Sequence, residues 1–135
     1  MIELPRAVYD DLIEHALDGT PEEVCGVLAG DLDTDTSVVE VAHRARNAAD
    51  HPRTEYELDP AEALSLFDRI EESGREIVGF YHSHPSGPPA PSATDEARAT
   101  WPDRSYVIVD LTSTPFVGSW RWHGDRFEPE TVLLG

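Results

Sequence analysis

Four prolines and a glycine crowd the segment Pro85-Ser-Gly-Pro-Pro-Ala-Pro91, and neither a helix nor an internal strand can run through it. The chain must bend there, and the bend is stiff. Leading into it, Glu76 to Tyr81 is apolar with β-branched and aromatic residues, the pattern of a buried strand. His82 and His84 follow at spacing i and i+2, which puts both rings on one face of an extended chain. Leading out, Ser92-Ala-Thr-Asp95 is a place where a helix can start. A strand end and the next element can therefore deliver His82, His84 and Asp95 together. That is three protein ligands for one zinc ion, with a fourth position left open. Each half also has a plainer reading. Histidines are often hydrogen-bonded core or surface residues, and Ser92…Asp95 is close to a capping box, with an acid at N3.

With 135 residues the chain suits one domain, residues 1–135, around one hydrophobic core. It has no secretory leader pattern and no apolar run of membrane-spanning length, so a soluble, cytoplasmic protein is expected. The single cysteine, Cys25, excludes an intrachain disulfide and a cysteine zinc cluster, and inside an apolar run it reads as a small buried hydrophobe. The formal net charge is −17, and all ten basic residues are arginine. Such acidity opposes binding to nucleic acid phosphates. A lysine-free acidic surface is also how proteins stay soluble at very high salt, so a halophilic chain whose stability depends on salt is expected. A chain without lysine offers no side-chain amine for conjugation.

Taken in order, Pro5 to Leu17 has helical spacing through Val8, Leu12, Ile13 and Ala16, with Gly19 as a stop. Val24 to Leu32 and Thr36 to Ala45 predict two strands of a hairpin, joined by an acidic turn at Asp31, Asp33 and Asp35. That turn lacks the glycine and glutamate of a calcium loop. Asn47 to Arg53 reads as a polar loop, and His43 and His51 as structural or exposed. Asp59-Pro60 opens a second helix whose predicted buried stripe is Leu64, Phe67 and Ile70, ended by Gly74. A third helix is predicted from Ser92 to near Trp101. The remainder predicts strands at Ser105 to Leu111, Phe116 to Trp122 and Phe127 to Leu133, with a turn at Thr112 to Pro115. Trp120 and Trp122 would share one face and pack a core or a helix. The fold class is α/β with a mixed sheet.

His82-Ser-His-Pro-x6-Ser92-x2-Asp95 resembles the signature of the JAMM (MPN-plus, or JAB-domain) metalloproteases. So does the upstream run Glu23-Val-Cys-Gly-Val-Leu-Ala-Gly30, and Tyr56-Glu-Leu-Asp-Pro60 is a further familiar segment. The resemblance runs from about Pro21 to Asp95. It implies a curved mixed β-sheet sandwiched by helices, similar to the cytidine deaminase architecture, although the Pro-Cys-x-x-Cys ligands of zinc deaminases are absent. It implies one zinc ion per chain, Glu23 as general acid/base and Ser92 as the hydroxyl donor to an oxyanion. The implied reaction is hydrolysis of isopeptide or peptide bonds at the C-terminal tail of ubiquitin-like β-grasp modifiers, which removes them from targets. The alternatives are a peptidase that trims a sulfur-carrier protein and a metal-free interaction scaffold. A small ubiquitin-like modifier and its conjugates are the implied partners. Nucleic acid and membrane are not expected, and oligomeric state stays open.

Overall fold

A computed structural model describes residues 1–112 and 116–135, so the end of the predicted turn at Thr112 to Pro115 lies outside the described residues. Strand β1 (Ile2–Leu4) leads into helix α1 (Arg6–Gly19), followed by the hairpin β2 (Cys25–Asp31) and β3 (Ser37–Ala45). Helix α2 (Pro60–Glu72), strand β4 (Glu76–His84) and the short helix α3 (Ala93–Arg98) come next. Strands β5 (Ser105–Asp110), β6 (Phe116–Trp122), β7 (Phe127–Glu130) and β8 (Val132–Leu134) complete the chain. No described helix is long and apolar enough to cross a membrane.

The strands form one sheet in the order β7-β6-β5-β4-β2-β3-β1-β8. It is mixed, as expected: β4 pairs β5 in parallel and β2 antiparallel, while β1 lies parallel to both β3 and β8. The sheet curves until its last segments return beside its first. Arg121 on β6 donates to the backbone carbonyls of Asp33 and Met1 and pairs with Glu130 at 3.0 Å. Ser105 and Ser119 donate to the other oxygen of the Glu130 carboxylate, at 2.6 and 2.9 Å. This buried network fastens the curl.

One core gathers Ile2, Leu4, Val8, Leu12, Leu28, Val78, Tyr81 and Val107 under α1. The other gathers Val27, Ala29, Leu66, Ile70, Phe80, Ala99, Tyr106 and Trp122 on the face covered by α2 and α3. Helices thus lie on both faces of the sheet. Side-chain alternation would normally put Val78 and Phe80 on the same face. The register between β2 and β4 shifts at Leu28/Ala29, so that Leu28 opposes Gly79 while Ala29 opposes Ile77. The irregularity places Val78 in the α1 core and both Ile77 and Phe80 against the other. It therefore fixes which way the residues after Phe80 point.

Several expectations need correction. β1 was not expected. The strand expected at Phe127 to Leu133 is two short strands, and the second joins β1. Leu64 is 66% exposed; the buried stripe of α2 is Ala63, Leu66 and Ile70, with Phe67 packed beside it. The first turn of the helix presents small Ala63, not Leu64, to the sheet. α3 ends at Arg98, where Ala99 turns extended, short of Trp101. Trp122 is core as expected, and Trp120 is half-buried. Cys25 is fully buried, and Asp33 turns its exposed carboxylate onto the N–H groups of Asp35 and Thr36.

Candidate active site

β4 ends in His82, Ser83 and His84, all buried. His82 and His84 share the α2/α3 face, while Ser83 points the other way, where its Oγ accepts from Val24 N–H at 2.9 Å. The Ser83 N–H in turn donates to Val24 O at 3.1 Å. These two bonds set the start of β2 against the end of β4 and bring Glu23 to the histidine pair. One ligand atom each from Glu23, His82 and His84 lies within 4.8 Å of the others.

After His84 the chain turns through Gly87, whose N–H donates to His84 O and whose φ of +71° is a left-handed value. A Cβ there would also meet Thr112 Cγ2 at 2.7 Å, so glycine is required on both counts. The prolines then deliver Ser92 as the N-cap of α3. Ser92 Oγ accepts from Asp95 N–H at 3.0 Å, and Ser92 N–H donates to Asp95 Oδ2 at 2.9 Å, a complete capping box. The plain reading of this motif and the ligand reading hold together, because the same Oδ2 lies 3.1 Å from Nε2 of both His82 and His84. The two Nε2 atoms are 3.0 Å apart.

All five residues singled out in the sequence thus meet at one place. Glu23, His82, His84 and Asp95 are each at most 8% exposed. Ser92 borders a cleft of about 150 Å³ together with Glu23, His84, Arg53, Thr54 and the proline loop.

The donor set fits a small divalent cation. Three atoms stand 3.0 to 3.1 Å from one another, and a tetrahedral zinc with bonds of about 2.0–2.1 Å spaces its ligands by roughly 3.3 Å. His84 Nδ1 lies 2.7 Å from Pro88 O, an acceptor only, so Nδ1 carries the proton and Nε2 presents a bare lone pair. That lone pair faces a second imidazole nitrogen and a carboxylate oxygen. Acceptors packed this closely need a cation or an extra proton among them.

The electrostatics point the same way. Burial lowers the pKa of His82. Burial acts likewise on His84, but hydrogen bonds to Asp95 and Pro88 outweigh it and raise the pKa. Burial would raise Asp95, yet bonds to both imidazoles hold it well below the usual carboxylate range. Glu23 behaves differently. Burial pushes its carboxyl up to about 7, with the charge of His84 opposing. Its Oε1 has no hydrogen-bond partner among the described residues. One carboxylate is thus kept ionised against the imidazoles, and another is poised to exchange a proton near neutrality.

Two residues of the site escaped the sequence reading. Asn47, in the polar loop, donates through Nδ2 to Glu23 O and Glu55 O, and its Oδ1 accepts from Glu57 N–H. Tyr56, between those two glutamates, stacks on the His82 ring with centroids 4.2 Å apart. Nothing local in the sequence announces either contact.

Known proteins resemble this chain along most of its length. The profile of the family described as prokaryotic homologs of the JAB domain matches residues 5–123. The chain is 46% identical over 137 residues to a desampylase of Haloferax volcanii, covering 98% of this chain and 96% of that protein. It is 37% identical over 98 residues to a CysO-cysteine peptidase of Mycobacterium tuberculosis, covering 73% of this chain and 65% of that one. A solution structure of a protein from Desulfitobacterium hafniense superposes with a TM-score of 0.90 at 31% identity, covering 100% of this chain and 93% of the other.

Proposed function

Because this chain belongs to the family of prokaryotic homologs of the JAB domain, we propose that it removes small ubiquitin-like modifiers from target proteins. It does so as a JAMM-type isopeptidase that hydrolyses the amide bond at the modifier's C-terminal tail. Its similarity along nearly its whole length to a protein named desampylase supports that reading. Residues 1–135 would act as a single catalytic domain, in the cytoplasm.

The observation that carries the chemistry is the triangle of His82 Nε2, His84 Nε2 and Asp95 Oδ2, with the Glu23 carboxyl beside it, whose Oε1 has no hydrogen-bond partner among the described residues. In this proposal His82, His84 and Asp95 hold one zinc ion. When bound, zinc supplies positive charge that polarises an amide carbonyl and makes water more acidic. Glu23 takes the proton of the attacking water and hands it to the leaving amine. A carboxyl that burial holds near pH 7 can do both. The Ser92 oxygen already accepts a bond from Asp95 N–H, which leaves its own proton free to point into the cleft and stabilise the developing oxyanion.

A second reading has its own support. The similarity to a protein named CysO-cysteine peptidase favours a processing peptidase that trims a sulfur-carrier protein. Assaying a linear fusion beside an isopeptide conjugate separates the two. The test of the site is a zinc assay paired with turnover. Glu23→Ala should keep zinc and lose about 100-fold or more of the rate. His82→Ala and Asp95→Ala should lose both. Full activity in Glu23→Ala would overturn the proton-transfer role. A zinc-free, inactive wild type would favour the scaffold reading.

A further inference from the structure

The two imidazoles of the site are held in different ways. His84 is fixed by the bond from its Nδ1 to Pro88 O at 2.7 Å. Metal-binding histidines ordinarily have such a partner on the ring nitrogen that does not face the ion, and it sets both tautomer and orientation. His82 has none: its Nδ1 is buried and lacks a hydrogen-bond partner among the described residues. Yet its Nε2 is aimed as accurately as that of His84, at 3.1 Å from Asp95 Oδ2.

What touches the His82 ring is Tyr56, face to face, with 4.2 Å between centroids and 21° between planes. The His84 ring meets it only at an edge, at 62°. Tyr56 is itself held firmly. The residues on either side of it are clamped by one side chain: Asn47 Nδ2 donates to Glu55 O at 3.0 Å, and Asn47 Oδ1 accepts from Glu57 N–H at 3.1 Å. The same Nδ2 reaches Glu23 O at 2.9 Å. Ala48 N–H donates to Glu57 O, and Arg98 Nη1 on α3 donates to Tyr56 O at 3.4 Å. The plate behind His82 is thus tied to the backbone of Glu23, just before β2, and to the helix that carries Asp95.

We infer that Tyr56 is a positioning residue that fixes the ring of His82 by stacking, in place of the hydrogen bond that His84 donates to Pro88 O, with Asn47 holding the tyrosine in register. A flat ring against a flat ring stops rotation about the Cβ–Cγ bond, and rotation is the freedom a missing Nδ1 partner leaves open. The stacking needs the aromatic face and not the hydroxyl. The inference rests on the reading of His82 as a metal ligand.

The test compares Tyr56→Phe, Tyr56→Leu and Tyr56→Met as purified full-length proteins in molar salt. Zinc affinity is measured by chelator competition, and the visible spectrum of the cobalt-substituted protein is recorded. Tyr56→Phe should bind zinc within about threefold of wild type and keep its cobalt spectrum. Loss of a partner on a ligating histidine typically costs about 10- to 100-fold in affinity, and Tyr56→Leu should fall in that range with an altered cobalt spectrum. A merely structural role would lower the melting temperature without moving the spectrum of the folded protein. Tyr56→Met keeps the bulk without the flat face; it should behave like Tyr56→Leu and serves if that variant does not fold. Wild-type affinity in a folded Leu or Met variant would overturn the inference. His82→Ala is the control. If it binds zinc as well as wild type, the ligand reading itself fails, and the positioning role falls with it.

Discussion

Ser83 Oγ and Val24 N–H are joined by a buried hydrogen bond of 2.9 Å, and in sequence Ser83 stands between the two histidines while Val24 follows Glu23. The serine flanked by both imidazoles therefore acts on the opposite face, where it sets the separation of β2 and β4. Ser83→Ala leaves the Val24 N–H buried without a partner, a loss worth about 1–3 kcal/mol. Chemical denaturation in high salt should show that destabilisation. A variant as stable as wild type would mean that β2 finds its place without the bond.

Ser92 has two tasks, cap and donor, and they can be separated. Ser92→Ala should lower kcat by about 100- to 1000-fold, as losing one oxyanion donor does elsewhere, with KM little changed. Ser92→Asp keeps a cap acceptor but has no hydroxyl proton to give. It should preserve the melting temperature and remain slow. Steady-state kinetics beside thermal melting checks both, and a fast Ser92→Asp would exclude the donor role.

Arg121 and Glu130 form an ion pair whose side chains are 8% and 7% exposed, satisfied by two serines and two backbone carbonyls. Removing one partner of a buried pair costs about 3–5 kcal/mol, because the other charge is stranded. Glu130 keeps the N-terminal ammonium at 3.8 Å, so Arg121→Ala should lose about 3 kcal/mol, the lower end of that range, in a denaturation experiment. Exposed Arg126→Ala should change stability by less than about 1 kcal/mol.

His15 gives stability a dependence on pH. Its Nδ1 lies 2.7 Å from the Tyr81 hydroxyl, and burial lowers its pKa below the ordinary 6.5. Burial lowers His43 in the same direction. At these two sites the unfolded chain takes up protons first as pH falls, and their contribution to stability is lost below about 6.5. Glu23, whose raised carboxyl is protonated first in the folded state, works in the opposite sense in both proteins. Between pH 7.5 and pH 5.5 the denaturation midpoint of His15→Asn should therefore gain on that of the wild type. An equal slope in the variant would assign the effect elsewhere.

Charge gives the last expectation. With 27 acidic residues against ten arginines, self-repulsion should weaken as the Debye length shrinks from about 10 Å at 0.1 M salt to about 3 Å at 1 M. The melting temperature should climb over that range. A flat profile would show that the acidity answers to something other than solvent.

Much of the site was legible because its signals are local. Alternation placed His82 and His84 on one face, prolines and Gly87 ruled out regular structure, and the Ser92-to-Asp95 spacing is a cap in any helix. The arrival of Glu23 beside them is a long-range pairing, and resemblance supplied it where periodicity could not. β1 and β8 are three residues each and exist through their pairing with each other and with β3, so neither carries enough pattern to stand out. Leu64 was misplaced because hydrophobicity outweighed phase: the sheet has room for Ala63. Tyr56 and Asn47 act through contacts between loops, which have no periodicity to read.

The shifted register opposite Leu28 and Ala29 carries a consequence for descent as well as for folding. A strand has only two phases, and this slip selects the one in which His82 and His84, not Tyr81 and Ser83, look toward α3. Without the shift, alternation running on from Val78 would turn His82 and His84 into the α1 core. Along this one strand the reading frame of the sheet is as unforgiving as that of the gene.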